Sequence, residues 1–243
     1  MWNALIYRVS KKSLYQNHLE THFVSQALKD IMDQKIEAKN HFYDGWIYRQ
    51  FIDPSLAGIR KRIAKIVPAG SSVIDVGCGT GDQLLHIADK IVHGVCIELS
   101  ETMVKTGRKQ AKRQGAGHCE FQLADATDLS HLEDQSFDFA MSSMVIHEMP
   151  EEKRIPVLKE MKRLGKQLIL VDWINPQPSN WRLVGTHMVE FMAGWEHYSG
   201  FRSFMKQGGM PKLIEAVGLE TIETQITTKG TIQLWLCKAV KKD

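Results

Sequence analysis

The stretch that most constrains the fold is a run of apolar residues that ends in closely spaced glycines. Residues 73–76, Val-Ile-Asp-Val, are rich in β-branched side chains and predict a buried parallel strand. Three glycines follow at alternate positions: Gly77, Gly79 and Gly81. Residues 82–91 then carry apolar side chains at helical spacing. Because glycine has no Cβ, the backbone can turn tightly here and a ligand can lie directly on it. The pattern predicts a strand, a turn and a helix that hold a nucleotide.

Two carboxylates indicate which kind of nucleotide this turn accepts. A dinucleotide site has the spacing G-x-G-x-x-G and binds a pyrophosphate over the helix N-terminus. Here the third glycine comes one residue early, and Asp82 would place a negative charge where the pyrophosphate binds. Asp75 adds a second carboxylate beside the turn. These charges favour a ligand with an ammonium or sulfonium group, and they argue against a nicotinamide-dependent oxidoreductase.

The run Val-Ile-Asp-Val-Gly-Cys-Gly-Thr-Gly, residues 73–81, resembles the first motif of the class I S-adenosylmethionine-dependent methyltransferases, which is close to V-L-D-x-G-C-G-x-G. The resemblance implies an α/β fold with a Rossmann-like, mostly parallel seven-stranded sheet that ends in an antiparallel C-terminal hairpin. It also implies S-adenosylmethionine as cofactor and methyl transfer as activity. By topology it covers about residues 40–240, and its specific motifs lie within 73–172.

Two later motifs match the cofactor site of the same family. Glu98 ends the second predicted strand, 93–97, where an acidic side chain accepts hydrogen bonds from both ribose hydroxyls. The resemblance further implies that Asp125 and Ala126 bind the adenine, and that a tyrosine near residue 43 closes over the cofactor. The predicted cofactor-binding residues are Asp75, Gly77, Cys78, Gly79, Gly81, Asp82, Glu98, Leu99, Asp125, Ala126, Ser142 and Tyr43.

The reacting end of the site is less defined by sequence. His147 follows the fourth predicted strand and could take a proton from the methyl acceptor, or it could cap or pack against the next helix. An insertion, 174–209, is expected to form a helical roof over the substrate, with Trp181–Tyr198 as one helix. The candidate substrate contacts are Tyr48, Asp172, His187, Trp195 and His197.

A metal centre on this roof helix is not expected from the sequence. His187, Glu190 and His197 share one predicted face, but they lack the i, i+4 histidine pair of known metal helices. Transfer from a sulfonium also requires no metal. The polar face can therefore contact the substrate or lie in solvent, and the sequence leaves both open.

The acceptor is predicted to be a small or amphipathic molecule. Residues 142–150 contain neither the Asn/Asp-Pro-Pro-aromatic nor the Pro-Cys sequence of nucleic-acid methyltransferases, and a net charge of +3 gives no support to nucleic-acid binding. An aromatic roof and a basic, amphipathic N-terminus favour a quinone or lipid acceptor at a membrane surface. A non-catalytic protein that only binds the cofactor would show the same motifs.

Domain organisation and location follow from the remaining composition. We expect a helical extension or lid at 1–44 and the cofactor-binding domain at 45–243. The four cysteines form no C-x-x-C pair, which is typical of reduced thiols in a cytoplasmic protein. No stretch reaches the ~20 apolar residues of a membrane span, although peripheral contact is possible. A monomer or homodimer is expected.

Overall fold

The sheet predicted from the sequence is present in the computed structural model, which describes residues 53–177, 187, 190–191, 194–227 and 230–240. Side chains are described from Ala57 onward. Tyr43, Tyr48 and the predicted extension at 1–44 lie outside the described residues. Those that are described fall within the unit Gln50–Asp243.

The described residues form a seven-stranded sheet in the order β3-β2-β1-β4-β5-β7-β6. The strands are β1 (Ser72–Val76), β2 (His93–Glu98), β3 (Cys119–Leu123), β4 (Phe137–Ser143), β5 (Gly165–Trp173), β6 (Leu219–Ile226) and β7 (Ile232–Ala239). The first five strands are mutually parallel, and β7 runs antiparallel to both β5 and β6. This confirms the predicted fold. The strand order reverses between β1 and β4, so the carboxyl ends of these two strands define the edge where such sheets bind ligands.

Helices follow the strands closely. They are α1 (Asp53–Ile66), α2 (Asp82–Leu85), α3 (Glu101–Arg113), α4 (Glu151–Leu164), α5 (Trp195–Lys206) and α6 (Gly209–Ala216), with a short 3-10 turn at Ile146–Glu148. Residues 151–164 have the charged, amphipathic pattern of a helix, and α4 has these bounds. The sequence predicts a helix over 100–114 with Ser100 as its N-cap, and the Ser100 hydroxyl accepts a hydrogen bond from the Met103 amide at 3.4 Å at the start of α3.

The core lies on both faces of the parallel strands. Val73, Ile74 and Val76 of β1 have no exposed surface, as the β-branched run predicts for a strand covered on both sides. At the other end of the domain, Leu234–Cys237 of β7 are buried as well. Within the described residues, no helix combines the length and apolarity needed to span a membrane.

Two helices differ from the sequence-based expectation. The apolar pattern predicted a helix to residue 91, but α2 ends at Leu85 and residues 86–90 form turns. Amides there bond three residues back, as Ile87 does to Leu84, which still buries the same apolar side chains. The predicted roof helix is also interrupted: Gly194 has φ of +114°, and α5 begins after it. His187 and His197 therefore do not share one helix.

Arg154 joins α4 to α5 from a fully buried position. Its guanidinium donates to the Ser203 hydroxyl at 3.3 Å, to the Gln207 side-chain oxygen at 2.6 Å and to the Gly200 carbonyl at 2.9 Å. It also donates to the Met149 carbonyl at 3.1 Å, in the loop before α4. A buried cation whose donors are satisfied in this way holds the second half of the roof against the sheet domain.

Replacing Arg154 tests this clamp. Arg154→Met should lower the free energy of unfolding by about 3 kcal/mol, because it leaves buried acceptors without donors. Urea unfolding followed by circular dichroism measures the change. Lys159→Met, at an exposed position of the same helix, is the matched control and should change little. A loss below about 1 kcal/mol for Arg154→Met would contradict a clamping role.

Candidate cofactor and active site

The glycine turn after β1 has the conformation that only glycine adopts easily. Gly77, Gly79 and Gly81 have φ of +71°, +57° and +78°. Space is equally restrictive: a Cβ on Gly77 would lie 2.7 Å from Val145 Cγ1, and one on Gly81 would lie 2.5 Å from Phe121 Cζ. The turn is therefore packed against the loop after β4 on one side and against β3 on the other.

Glu98, the last residue of β2, fixes the shape of this turn. Its Oε2 accepts a hydrogen bond from the Gly79 amide at 3.0 Å. Its Oε1 accepts from the Leu99 and Ser100 amides at 2.8 and 2.9 Å. The structure thus places Glu98 at the predicted strand end. The same carboxylate also has a structural role, because it anchors the glycine turn and the start of α3.

Asp75 is a buried carboxylate, and the part of the chain that the structure describes places no countercharge beside it. Its side chain is 2% exposed, and its Oδ2 has no hydrogen-bond partner among the described residues. Burial, and then the negative charge of Glu98, raise the pKa of Asp75 to about 8. Two carboxylates beside one glycine turn make a site that a cationic group would stabilise and an anionic group would not.

Three further residues predicted to bind the cofactor differ in exposure. Leu99 is an exposed apolar side chain directly after Glu98. Cys78 is half-buried, and its thiol donates weakly to the Gly79 carbonyl at 3.5 Å. Ser142 is buried in β4, and no partner for its hydroxyl lies within the described part of the chain. An unpartnered buried hydroxyl at a strand end is typical of a ligand-binding edge.

Asp125 follows β3 and is already bonded to protein donors. Its Oδ1 accepts from the Thr127 amide at 3.0 Å and from the Thr127 hydroxyl at 2.8 Å. Lys153 Nζ lies 2.8 Å from Oδ2. The bond from Lys153, followed by those from Thr127, lowers the pKa of Asp125 to about 2. The buried Ala126 comes next, and the Ala124 amide donates to the Glu98 carbonyl, which joins this turn to the β2 end.

A buried network of acids and bases lies beyond the glycine turn, where β4 and β5 end. His147 Nδ1 is 2.7 Å from Asp172 Oδ1, and His147 Nε2 is 3.5 Å from Glu190 Oε1. His197 continues the alternation, with Nδ1 2.8 Å from Glu190 Oε2 and Nε2 2.7 Å from Glu148 Oε1. Three carboxylates thus alternate with two imidazoles.

The charges of this network follow from its contacts. Burial alone would lower the pKa of His147, but the carboxylates of Asp172 and Glu190 outweigh it and raise that pKa well above its usual value. The pKa of His197 is raised to about 9 against its own burial, by Glu148 and then Glu190. Glu190 has its pKa lowered to about 2 despite burial, because His147 and His197 both face it.

The structure therefore brings together three predicted residues and separates others. His147, Asp172 and His197 meet in the network. His187 instead contacts the Tyr198 hydroxyl at 3.2 Å, and Trp195 is 69% exposed. Sequence reasoning gave no role to Glu148. The available signal was a carboxylate directly after a histidine in the loop that follows β4.

Comparisons with known proteins agree with this geometry. A family model described as a methyltransferase domain matches residues 73–167. The matched residues, 73–167, therefore carry a methyltransferase domain. S-adenosylmethionine is the cofactor of this domain family. The family match ends before Asp172, so it includes His147 and Glu148 but not the remainder of the network.

Two curated relatives and one solved structure illustrate the similarity. O-methyltransferase cnsE of Penicillium expansum is 36% identical over 121 residues, which is 47% of this chain and 42% of the relative. Demethylmenaquinone methyltransferase of Listeria welshimeri is 32% identical over 133 residues, 51% of this chain and 55% of the relative. The chain thus spans about half the length of these relatives. The PH0226 protein of Pyrococcus horikoshii shares the fold, with a TM-score of 0.61 at 17% identity over 82% of this chain and 99% of that one.

The pKa of Asp75 predicts a pH-dependent stability for the methyltransferase domain. Because the folded state holds this proton more tightly than the unfolded chain, the contribution is complete below about pH 4 and is lost as the pH rises towards 8. Asp75→Asn removes it. The free energy of unfolding of Asp75→Asn relative to wild type should therefore rise by roughly 1 kcal/mol per pH unit between about pH 5 and pH 7.

Urea unfolding at several pH values, without added ligand, measures this difference. Asp82→Asn, at the exposed first residue of α2, is the matched control and should run parallel to wild type. A constant difference between Asp75→Asn and wild type across this range would show that Asp75 ionises normally.

Proposed function

We propose that this protein transfers the methyl group of S-adenosylmethionine to a small or amphipathic acceptor. The observation that carries the proposal is the pair Asp75 and Glu98 at the glycine turn, where the described residues supply no cation to the unpartnered Asp75 oxygen. A ligand with ammonium and sulfonium charges compensates this field, whereas a pyrophosphate would add to it. The pattern of the turn and the family match both support the same cofactor.

The described residues fit the parts of this cofactor. Asp75, Asp82, Cys78 and the backbone of the glycine turn would hold the methionyl part. At Gly79 a Cβ would meet only Met103 Sδ, at 3.7 Å, so the backbone there is open to a ligand among the described residues. Glu98 would accept from the ribose hydroxyls through Oε2, which keeps a lone pair beyond its bond from the Gly79 amide; Oε1 already accepts from two amides and would have to exchange one of them. The remaining predicted contacts are Leu99, Ser142, Asp125 and Ala126, with Tyr43 outside the described residues.

The adenine assignment to Asp125 carries a specific cost. Both oxygens of this carboxylate already accept from Thr127 or Lys153. Binding the exocyclic amine requires a remaining lone pair, or release of Lys153, whose side chain is 40% exposed. Exposed ion pairs of this kind contribute little stability, so exchange of Lys153 for a ligand is inexpensive.

The bound cofactor would supply an activated methyl group, which leaves positioning and exclusion of water to the protein. Deprotonation of the acceptor by His147 stays a prediction. Its imidazole is 1% exposed and faces two carboxylates, an arrangement that fits a positioning role better than direct contact with the acceptor. Asp172, His187, Trp195 and His197 remain the proposed acceptor-side residues, together with Tyr48, which lies outside the described part.

A quinone or lipid acceptor is the favoured subclass. Phe191 and Trp195 are large apolar side chains that are 59% and 69% exposed, on the segment proposed as the substrate roof, 174–209. One relative is a demethylmenaquinone methyltransferase, which acts on a quinone by its name.

We further propose an extension at 1–44 and a catalytic domain at 45–243. We also propose a cytoplasmic location with peripheral membrane contact, no nucleic-acid partner, and a monomer or homodimer.

Calorimetric titration with S-adenosylhomocysteine tests the cofactor site. Wild type should bind, and Glu98→Ala should lose on the order of 2 kcal/mol of binding free energy from the charge-assisted bonds to the ribose. Glu101→Ala, an exposed acidic residue at the start of α3, is the matched control. NADH should give no heat. Binding of NADH without binding of S-adenosylhomocysteine would refute the proposed cofactor.

Methyl-labelled S-adenosylmethionine tests turnover. Incubation with pools of reduced quinones, lipids and polar metabolites should move label into the organic phase for a quinone or lipid acceptor, and into the aqueous pool for a polar one. Asp75→Asn, which removes the charge from the methionyl site, should transfer at least about 10-fold less in the same pool. Label that stays on the cofactor in every pool, while S-adenosylhomocysteine binds, would favour the non-catalytic alternative.

A further inference from the structure

The buried network at the ends of β4 and β5 has the composition and arrangement of a metal centre. We propose that His147, Glu148 and His197 bind one divalent transition-metal ion. One nitrogen of each histidine and one carboxylate oxygen of Glu148 lie within 4.8 Å of one another. The two imidazoles are almost completely buried, and the Glu148 side chain is 18% exposed. Converging donors at this separation can move onto a single ion with small side-chain rotations.

Both histidines have a second carboxylate behind them. The Nδ1 of His147 faces Asp172 Oδ1 at 2.7 Å, and the Nδ1 of His197 faces Glu190 Oε2 at 2.8 Å. Metal-binding histidines characteristically donate their other ring N–H to a carboxylate, which fixes the tautomer and the ring orientation. This leaves the two Nε2 atoms as the metal-facing donors. His147 Nε2, 3.5 Å from Glu190 Oε1, has only a loose contact to exchange for the ion.

The supporting carboxylates are themselves held in place. Asp172 accepts from the His147 and Trp173 amides at 3.2 and 2.7 Å, and Glu190 accepts from the Trp173 indole N–H at 2.7 Å. Helix α5, which carries His197, packs tightly on the 3-10 turn: a Cβ on Gly200 would lie 3.0 Å from the carbonyl oxygens of His147 and Glu148. The donors are therefore positioned by packing and do not depend on exposed loops.

The donor set indicates the class of metal. Two imidazoles and one carboxylate suit Zn²⁺, Fe²⁺ or Mn²⁺, whereas Mg²⁺ and Ca²⁺ prefer oxygen ligands. The sequence analysis did not predict a metal site, because it considered only residues that share one predicted helix. The structure instead joins a turn after β4 to α5, and this pairing spans 50 residues of chain, from His147 to His197.

Three protein donors leave at least one coordination position for another ligand. The partly exposed Glu148 marks the side from which water, or an oxygen, nitrogen or sulfur atom of an acceptor, would enter. Val145, next to this turn, packs against Gly77 of the cofactor turn. A role for the ion in holding the acceptor rests on the proposed methyl transfer; the metal site itself does not.

Metal binding by the full chain tests the site directly. Protein stripped with a chelator should bind one Zn²⁺ per chain in calorimetry, and Co²⁺ should give visible d–d absorption bands. Glu148→Gln and His197→Gln should each weaken Zn²⁺ binding by at least about 100-fold and abolish the Co²⁺ bands. Asp172→Asn, behind His147, should weaken it by about 10- to 100-fold. His131→Gln, at an exposed histidine, is the matched control.

Circular dichroism and S-adenosylhomocysteine binding of each metal-free variant establish that the fold is retained. If His197→Gln does not fold, the effect of Glu148→Gln on Zn²⁺ binding tests the metal site instead, because Glu148 is partly exposed. Zn²⁺ binding below one-tenth of an equivalent, or equal affinity in Glu148→Gln and wild type, would overturn the metal site and leave an ion-pair network that fastens α5. Zn²⁺ binding without S-adenosylhomocysteine binding would retain the metal site and refute the proposed cofactor.

Discussion

The Glu98 carboxylate and the backbone amides around it determine the geometry of the cofactor edge. One side chain accepts from Gly79 in the turn after β1 and from Leu99 and Ser100 at the start of α3. The Gly77 and Cys78 amides also donate to the Ile97 carbonyl. Because glycine residues give the turn little preference of its own, its shape depends on these bonds to β2. The acidic residue is therefore structural before any ligand binds.

Two buried carboxylates at the same sheet edge, Asp75 and Glu190, differ in how their negative charge is balanced. No cation faces Asp75 within the described ranges, and burial, followed by the charge of Glu98, raises its pKa to about 8. Glu190 is buried to a similar extent, but two imidazoles face it and its pKa falls to about 2. Water is excluded from both, so the neighbouring charges decide the outcome. The first group requires a positive ligand to hold its charge, whereas the second already contains its countercharges and can exchange them for a metal ion.

The sequence predicted those features that depend on near neighbours. The strand 73–76, the cap at Ser100 and the bounds of α4 follow from local pattern, and Glu98 follows from a motif at a strand end. The histidine network does not, because its members come from separate segments and meet only through packing. The predicted helix through Trp195 was wrong for a related reason: apolar spacing continues across Gly194, but a φ of +114° ends the helix there.

Met144 connects the two halves of the site through its backbone. Its φ of +59° is uncommon for an unbranched side chain and costs roughly 1 kcal/mol. The bond from its amide to the Val171 carbonyl at 2.8 Å and the packing of Val145 against Gly77 hold it there. Three residues later, His147 of the 3-10 turn lies with its Nδ1 2.7 Å from Asp172 Oδ1 at the end of β5. The strain is retained because the cofactor turn and the histidine network both require the same bend.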